Sequence, residues 1–167
     1  LIHSIKQTNS TAIFTDNALL KTLLNPLKEC ENIKYVIHSD NVDPNDKRQN
    51  GKIYKDANDA IEKIKEIRPD VKFYSFDQIY KMGQENKDTI KIQPPKAKDL
   101  SCIMYTSGST GDPKGVVLKQ YNVVAGVGGA HLTVRKAVGR TDRIICFLPL
   151  AHIFELAFEL LSFVWGS

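Results

Sequence analysis

Cysteine is scarce in this chain. The three present, Cys30, Cys102 and Cys146, are widely spaced and form no CxxC pair. That excludes a disulfide scaffold and a zinc site built of paired cysteines, and it suits a reducing compartment. An excess of charge of one sign is also missing. The 23 Lys and Arg against 19 Asp and Glu leave a net +4, too mild and too well mixed for a nucleic-acid partner. The lysines from Lys47 to Lys72 alternate with acids and read as a solvated face. Long apolar runs are absent as well. The longest helix-like one, Ile153 to Trp165, holds Glu155 and Glu159 and falls short of the roughly 20 apolar residues of a transmembrane helix. There is no repeat and no low-complexity tract. Apart from the chance-prone triplet Asn9-Ser10-Thr11, nothing suggests secretion. With 42% hydrophobic and 25% charged residues, disorder, collagen and coiled coil are excluded. The chain opens on Leu1 and closes on Ser167 just after the apolar run. It reads as a piece of a longer protein.

Charge and glycine divide the chain near residue 99. Residues 1–99 hold 32 charged side chains and residues 100–167 only ten, whereas eight of the ten glycines lie in the second part. The parts are read as 1–98 and 99–167, joined by the Pro94-Pro95 connector. In the first, strand candidates at Ala12-Ile13-Phe14, Tyr35-Val36-Ile37 and Val71 to Phe76 alternate with helical patterns. Thr15 or Asp16 would cap the first helix, which Pro26 should end or kink. Ile53, Ala57, Ala60, Ile61 and Ile64 recur at helical spacing, and Asp77 would cap a short helix to Gly83. Strand alternating with helix predicts an α/β fold with a largely parallel sheet and flanking helices. In the second part, Leu100 to Thr106, Val116 to Leu118 and Arg143 to Leu148 are strand candidates. Asn122 to Val138 and Ile153 to Trp165 are helical, with Gly126, Gly128 and Gly129 inviting a close backbone neighbour.

The segment after the first core strand reads YTSGSTGDPKG, residues 105–115. Glycines let backbone N–H groups converge on an anion, hydroxyls add donors, and a lysine supplies a compact positive charge. That is what a polyphosphate cradle requires. A Walker A loop is excluded, because Pro113 stands where Gly is needed and Gly115 where Ser or Thr is needed. The dinucleotide pattern fails at His131, and the nucleophile elbow fails at Ser107.

The ordering T-S-G-S-T-G-x-P-K-G, matched by residues 106–115 with Asp112 at the variable position, resembles the signature of the adenylate-forming superfamily. VVLKQYNVVAGVGG (116–129) and DRIICFLPLAHIFELAFE (142–159) are similar to long-chain fatty acyl-CoA synthetases. TNSTAIFTDN, KYVIHSD, RQNGKIY, IKEIRPDVK and FYSFD are similar to the fungal members in particular. The resemblance implies an internal fragment of the large N-terminal AMP-binding domain, inactive alone and without the C-terminal domain. The implied reaction adenylates a fatty acid carboxylate with ATP and then passes the acyl group to coenzyme A. Other acid substrates, or a non-catalytic nucleotide-binding module, stay open. The implied ATP-phosphate site comprises Tyr105, Thr106, Ser107, Gly108, Ser109, Thr110, Gly111, Asp112, Pro113, Lys114, Gly115 and Val116. No catalytic residue is assigned here. The family's catalytic lysine, its ribose-binding aspartate and the glutamate for Mg2+ are expected downstream. Peripheral association with the cytoplasmic face of the endoplasmic reticulum or of lipid droplets is also implied only by the resemblance.

His152 opens the last helix after LPLA. By resemblance it borders the acyl-substrate pocket; from the residues alone, a histidine bonded to the helix backbone explains it equally. His152 and Glu155 do not complete a metal motif, since Leu156 stands where HxxEH needs His, and no metal ligand is assigned. Glu155 and Glu159 share a helix face, as a carboxylate pair or as helix-end or domain-contact charges.

Overall fold

In the computed structural model, which describes residues 1–106 and 111–166, the three apolar runs of the first part become strands β1 (Ala12–Thr15), β2 (Tyr35–His38) and β3 (Lys72–Ser75). They form one parallel sheet in the order β1-β2-β3, with Ala12 opposite Tyr35 and Tyr35 opposite Lys72. Parallel neighbours need a crossover. The first is a 3-10 helix, Asn17–Leu23, running into α2 (Leu24–Glu29); the second is α3 (Lys52–Ile67). These elements, with the N-terminal helix α1 (Ile2–Thr8) and α4 (Phe76–Asn86), make up the unit Leu1–Ile92. Its core joins Leu20, Leu23 and Leu27 to Ala57, Ala60 and Ile64 of α3 and to Val36 of the sheet. The spacing of those α3 residues places them on one stripe, and the two alanines leave room for the leucines opposite. The other sheet face meets α4, where Phe76 packs edge-on against Phe14 with ring centroids 6.3 Å apart.

Local chemistry explains the ends of these elements. Asp16, one of the two cap candidates, accepts from the Ala18 N–H at 2.8 Å. Pro26 does not end the helix. It falls in the first turn of α2, where its missing N–H leaves no bond unmade. The cap of α4 is Ser75 rather than Asp77. Ser75 Oγ accepts from the Gln78 N–H while the Gln78 side chain accepts from the Ser75 N–H, a reciprocal arrangement that satisfies two otherwise orphaned donors. The helix then runs to Asn86, past Gly83.

Arg68, just beyond α3, ties the unit together. Nη1 donates to the carbonyls of Leu27 (2.8 Å) and Cys30 (3.1 Å), and Nη2 to those of Glu31 (3.3 Å) and Ile33 (3.0 Å). Nε and Nη2 also grip Asp70, each at 2.8 Å. These hydrogen bonds hold the Asp70 carboxyl well below the usual carboxylate range. At the end of β2, buried His38 lies with Nδ1 3.0 Å from Asn17 Oδ1 and 2.8 Å from the Asp40 carbonyl. Both neighbours are acceptors, so Nδ1 carries the proton.

The unit Gln93–Ser167 contains β4 (Leu100–Thr106), β5 (Lys114–Lys119), α5 (Gln120–Val134) and α6 (Ile153–Trp165). β4 and β5 are antiparallel, as the short connection between them demands, since it is too brief for a parallel crossover. Asn122 Oδ1 accepts from the Lys119 N–H at the start of α5. Val127, Leu161 and Trp165 form the core between α5 and α6, and Trp165 Nε1 donates to His131 Nδ1 at 2.9 Å. Three expectations are corrected here. Helix α5 stops at Val134, not Val138. Among the described residues Gly126, Gly128 and Gly129 meet no close backbone from outside their own helix: a Cβ at any of them would find no such atom within 4 Å. Arg143 to Leu148 is not a strand. No strand lies beside it among the described residues to take its backbone hydrogen bonds, and Ile145 and Phe147 are 80% and 78% exposed. Among the described residues no helix is long and apolar enough to cross a membrane.

Two outcomes follow for the first unit. Arg68→Ala should cost about 2–4 kcal/mol, because several partly buried carbonyls lose their donor at once. Arg68→Lys should recover only part of that loss, having no planar fork; urea midpoints measure both. Burial pushes His38 below its ordinary value of 6.5, the Asp40 carbonyl and charge opposing. Protonation therefore favours the unfolded chain. The stability held by neutral His38 should be complete above the ordinary histidine range and fall as pH drops through it. Urea midpoints between about pH 8 and about pH 5.5 should slope accordingly, and the slope should flatten in His38→Gln.

Candidate functional site

The candidate site is the turn of the β4–β5 hairpin. β4 carries Ile103, Tyr105 and Thr106, residue types suited to a pleated surface, and its register brings the two ends of the TSGSTGDPKG string together: Thr106 pairs with Lys114, and Tyr105 with Gly115. Thr106 Oγ1 lies 3.4 Å from the Lys114 carbonyl, to which it donates. Ser107, Gly108, Ser109 and Thr110 lie outside the described residues. Gly111 has φ +109°, a backbone state that a side chain would strain. Asp112, Pro113, Lys114 and Val116 are exposed at the same end of the hairpin. Thr106 and Lys114 thus place a hydroxyl and an ammonium-bearing side chain on the two strands flanking the turn, a donor set that suits an anion.

Gly115 has a different reason to be glycine. A Cβ there would lie 2.9 Å from Ile103 Cγ2 and 3.1 Å from Tyr105 Cζ. The Tyr105 ring and the Ile103 side chain cover the glycine from the facing strand, so this position is set by packing within the hairpin.

His152 is the N-cap of α6. Its Nδ1 accepts from the Phe154 N–H at 3.2 Å, so the ring proton belongs on Nε2, which is not engaged by the cap. His152 is exposed, and Glu155, one turn further on, is buried. Sequence spacing set His152 beside Glu155. In the structure the side chain grouped with Glu155 and Glu159 is Cys146, which a linear pattern does not reveal, because Cys146 belongs to no motif. The partners of His38 and His131 were equally invisible in the sequence, lying 21 and 34 residues away.

Gly115→Ala should destabilise the hairpin by about 1–3 kcal/mol, the usual cost of forcing extra atoms into a filled space. Thermal unfolding followed by circular dichroism measures it.

Comparison with known proteins establishes the family and the fold. A family model described as AMP-binding enzyme matches residues 1–167. Long-chain-fatty-acid–CoA ligase 1 of Saccharomyces cerevisiae is 64% identical over 167 residues, covering 100% of this chain and 24% of the relative. Long-chain-fatty-acid–CoA ligase 4 of the same yeast is 61% identical with the same coverage, and ligase 2 of Schizosaccharomyces pombe is 37% identical over 98% of this chain and 22% of its own. The chain thus spans about a quarter of the length of the curated relatives it matches. Among solved structures, the A-PCP didomain of the carboxylic acid reductase from Segniliparus rugosus, in complex with AMP, superimposes with a TM-score of 0.77 at 21% identity. It covers 99% of this chain and 23% of that one. The fold is therefore the α/β fold of part of an adenylation domain, and the chain belongs to the AMP-binding enzyme family.

Proposed function

We propose that this chain is part of a long-chain fatty acid–CoA ligase, the reading supported above all by 64% identity over all 167 residues to a yeast ligase of that name. The reaction has two steps. A fatty acid carboxylate oxygen attacks the α-phosphorus of ATP, forming an acyl-adenylate as the bond to the pyrophosphate oxygen breaks. The thiol sulfur of coenzyme A then attacks the acyl carbon, AMP leaves, and the thiol proton passes to solvent.

The residues of this chain would act on the leaving group in the first step. Residues Tyr105 to Val116 would hold the β- and γ-phosphates at the mouth of the hairpin, Thr106 by its hydroxyl, rotated off the Lys114 carbonyl it meets in this structure, and Lys114 by its charge. Holding pyrophosphate there lowers the barrier by positioning and by stabilising the charge that develops as it departs. The glycine at 111 supports this reading, since at an exposed position with positive φ it leaves the main chain uncovered by a side chain. Bound Mg2+ would neutralise part of the phosphate charge, with its carboxylate ligand supplied by other residues of the parent protein. His152, whose cap leaves Nε2–H disengaged, is proposed to border the acyl pocket. Segments 1–98 and 99–167 are proposed as two parts of one AMP-binding domain, and peripheral association with a lipid surface belongs to this same proposal.

The test uses the full-length protein encoded by the reading frame. Palmitate-dependent exchange of labelled pyrophosphate into ATP should be present, and should fall by about tenfold or more in Thr106→Ala/Lys114→Ala with circular dichroism unchanged. A folded protein that shows no exchange with any fatty acid would overturn the long-chain reading. Exchange with another carboxylic acid would reassign the substrate class.

A further inference from the structure

Cys146, Glu155 and Glu159 form a cluster that the ligase reading leaves unused. The Cys146 sulfur and one oxygen from each carboxylate all lie within 4.8 Å of one another. The two glutamates stand one turn apart on α6, and Cys146 comes from the non-helical segment between α5 and α6. Glu155 is only 2% exposed, and its Oε1 has no hydrogen-bond partner among the described residues. A buried oxygen left in that state costs roughly 1–3 kcal/mol, and more when it is charged. Two carboxylates this close to each other also repel. The Cys146 sulfur stands beside both of these carboxylates. Each of these penalties has the sign that a bound cation reverses.

The donor set restricts which cation. One sulfur and two carboxylate oxygens are too few for calcium, which takes six to eight oxygens, and magnesium has no use for a thiolate. Three protein ligands of mixed sulfur and oxygen suit a tetrahedral ion whose fourth position is taken by water. We propose that Cys146, Glu155 and Glu159 bind a divalent cation of the zinc class, with Cys146 ligating as the thiolate and Glu155 supplying its unpartnered oxygen. On binding, the sulfur–hydrogen bond of Cys146 is exchanged for a sulfur–metal bond and the proton goes to solvent; no electron is transferred. The proposal does not depend on the ligase reading, and its experiment measures no turnover.

Cobalt(II) is the probe, because thiolate ligation gives it a sulfur-to-metal charge-transfer band that oxygen ligands do not. The full-length protein is titrated anaerobically with Co2+ and the cobalt is then displaced with Zn2+. The expected result is a near-ultraviolet band that saturates at one Co2+ per chain and bleaches with Zn2+. The band should be lost in Cys146→Ser and its affinity weakened by more than about tenfold in Glu155→Gln. Glu159→Gln, at a more accessible position, supplies the same test should Glu155→Gln fail to fold. No band, a band kept in Cys146→Ser, or an affinity unchanged by either glutamate substitution would overturn the proposal.

Discussion

The guanidinium of Arg68 anchors the first unit because it answers a problem that every βαβ crossover creates. Where a helix ends, its last carbonyls have no intrahelical donor, and here the chain leaving α2 must turn at once into β2. Arg68 meets the carbonyls of Leu27, Cys30, Glu31 and Ile33 with its outer nitrogens and turns its inner edge to Asp70, at the entry to β3. One planar group thus joins the end of α2, the approach to β2 and the approach to β3. The backbone bonds Lys34 N–H to the Thr11 carbonyl and Lys72 N–H to the Lys34 carbonyl bring the strand starts together at that same end. A lysine could supply charge there but not five donors in fixed directions.

In the hairpin, packing and ligand chemistry ask for glycine for different reasons. Gly115 is glycine because Tyr105 and Ile103 fill the space its side chain would need. At Gly111 none of the described residues crowds the position, and the backbone conformation is what requires it. Two glycines of one motif are therefore required for different reasons, Gly115 by packing and Gly111 by backbone conformation.

Helix α6 combines an apolar composition with polar fixtures. Trp165 bonds His131 and so holds α6 against α5, while His152 caps its start. Glu155 is the exception, a buried carboxylate oxygen with no donor among the described residues. In an otherwise apolar helix an unmet polar atom is costly enough to mark a position that packing alone does not explain.

Periodicity and cap chemistry, both local, were legible in the residues. The alternation of strand and helix, the α3 stripe at Ala57, Ala60 and Ile64, the Asp16 cap and the bounds of α6 were all readable, and so was the TSGSTGDPKG string that led to the family. Neighbours along a chain determine these features within a few residues. What failed was the reading of features that depend on a partner elsewhere. Residues 143–148 have strand composition yet find no neighbouring strand among the described residues, and no other described element packs closely on the α5 glycines. Arg68 carried no signal in the sequence, since one of the carbonyls it meets lies 41 residues away. Cys146 carried no signal until α6 set two carboxylates beside it. The residue order by itself determined most of the elements, the parallel crossover pattern of the first unit and the TSGSTGDPKG motif. Tertiary structure alone decided which carbonyls, carboxylates and rings meet, because a hydrogen bond or a ligand set is a distance in space, and distances between remote residues are not encoded in their local spacing.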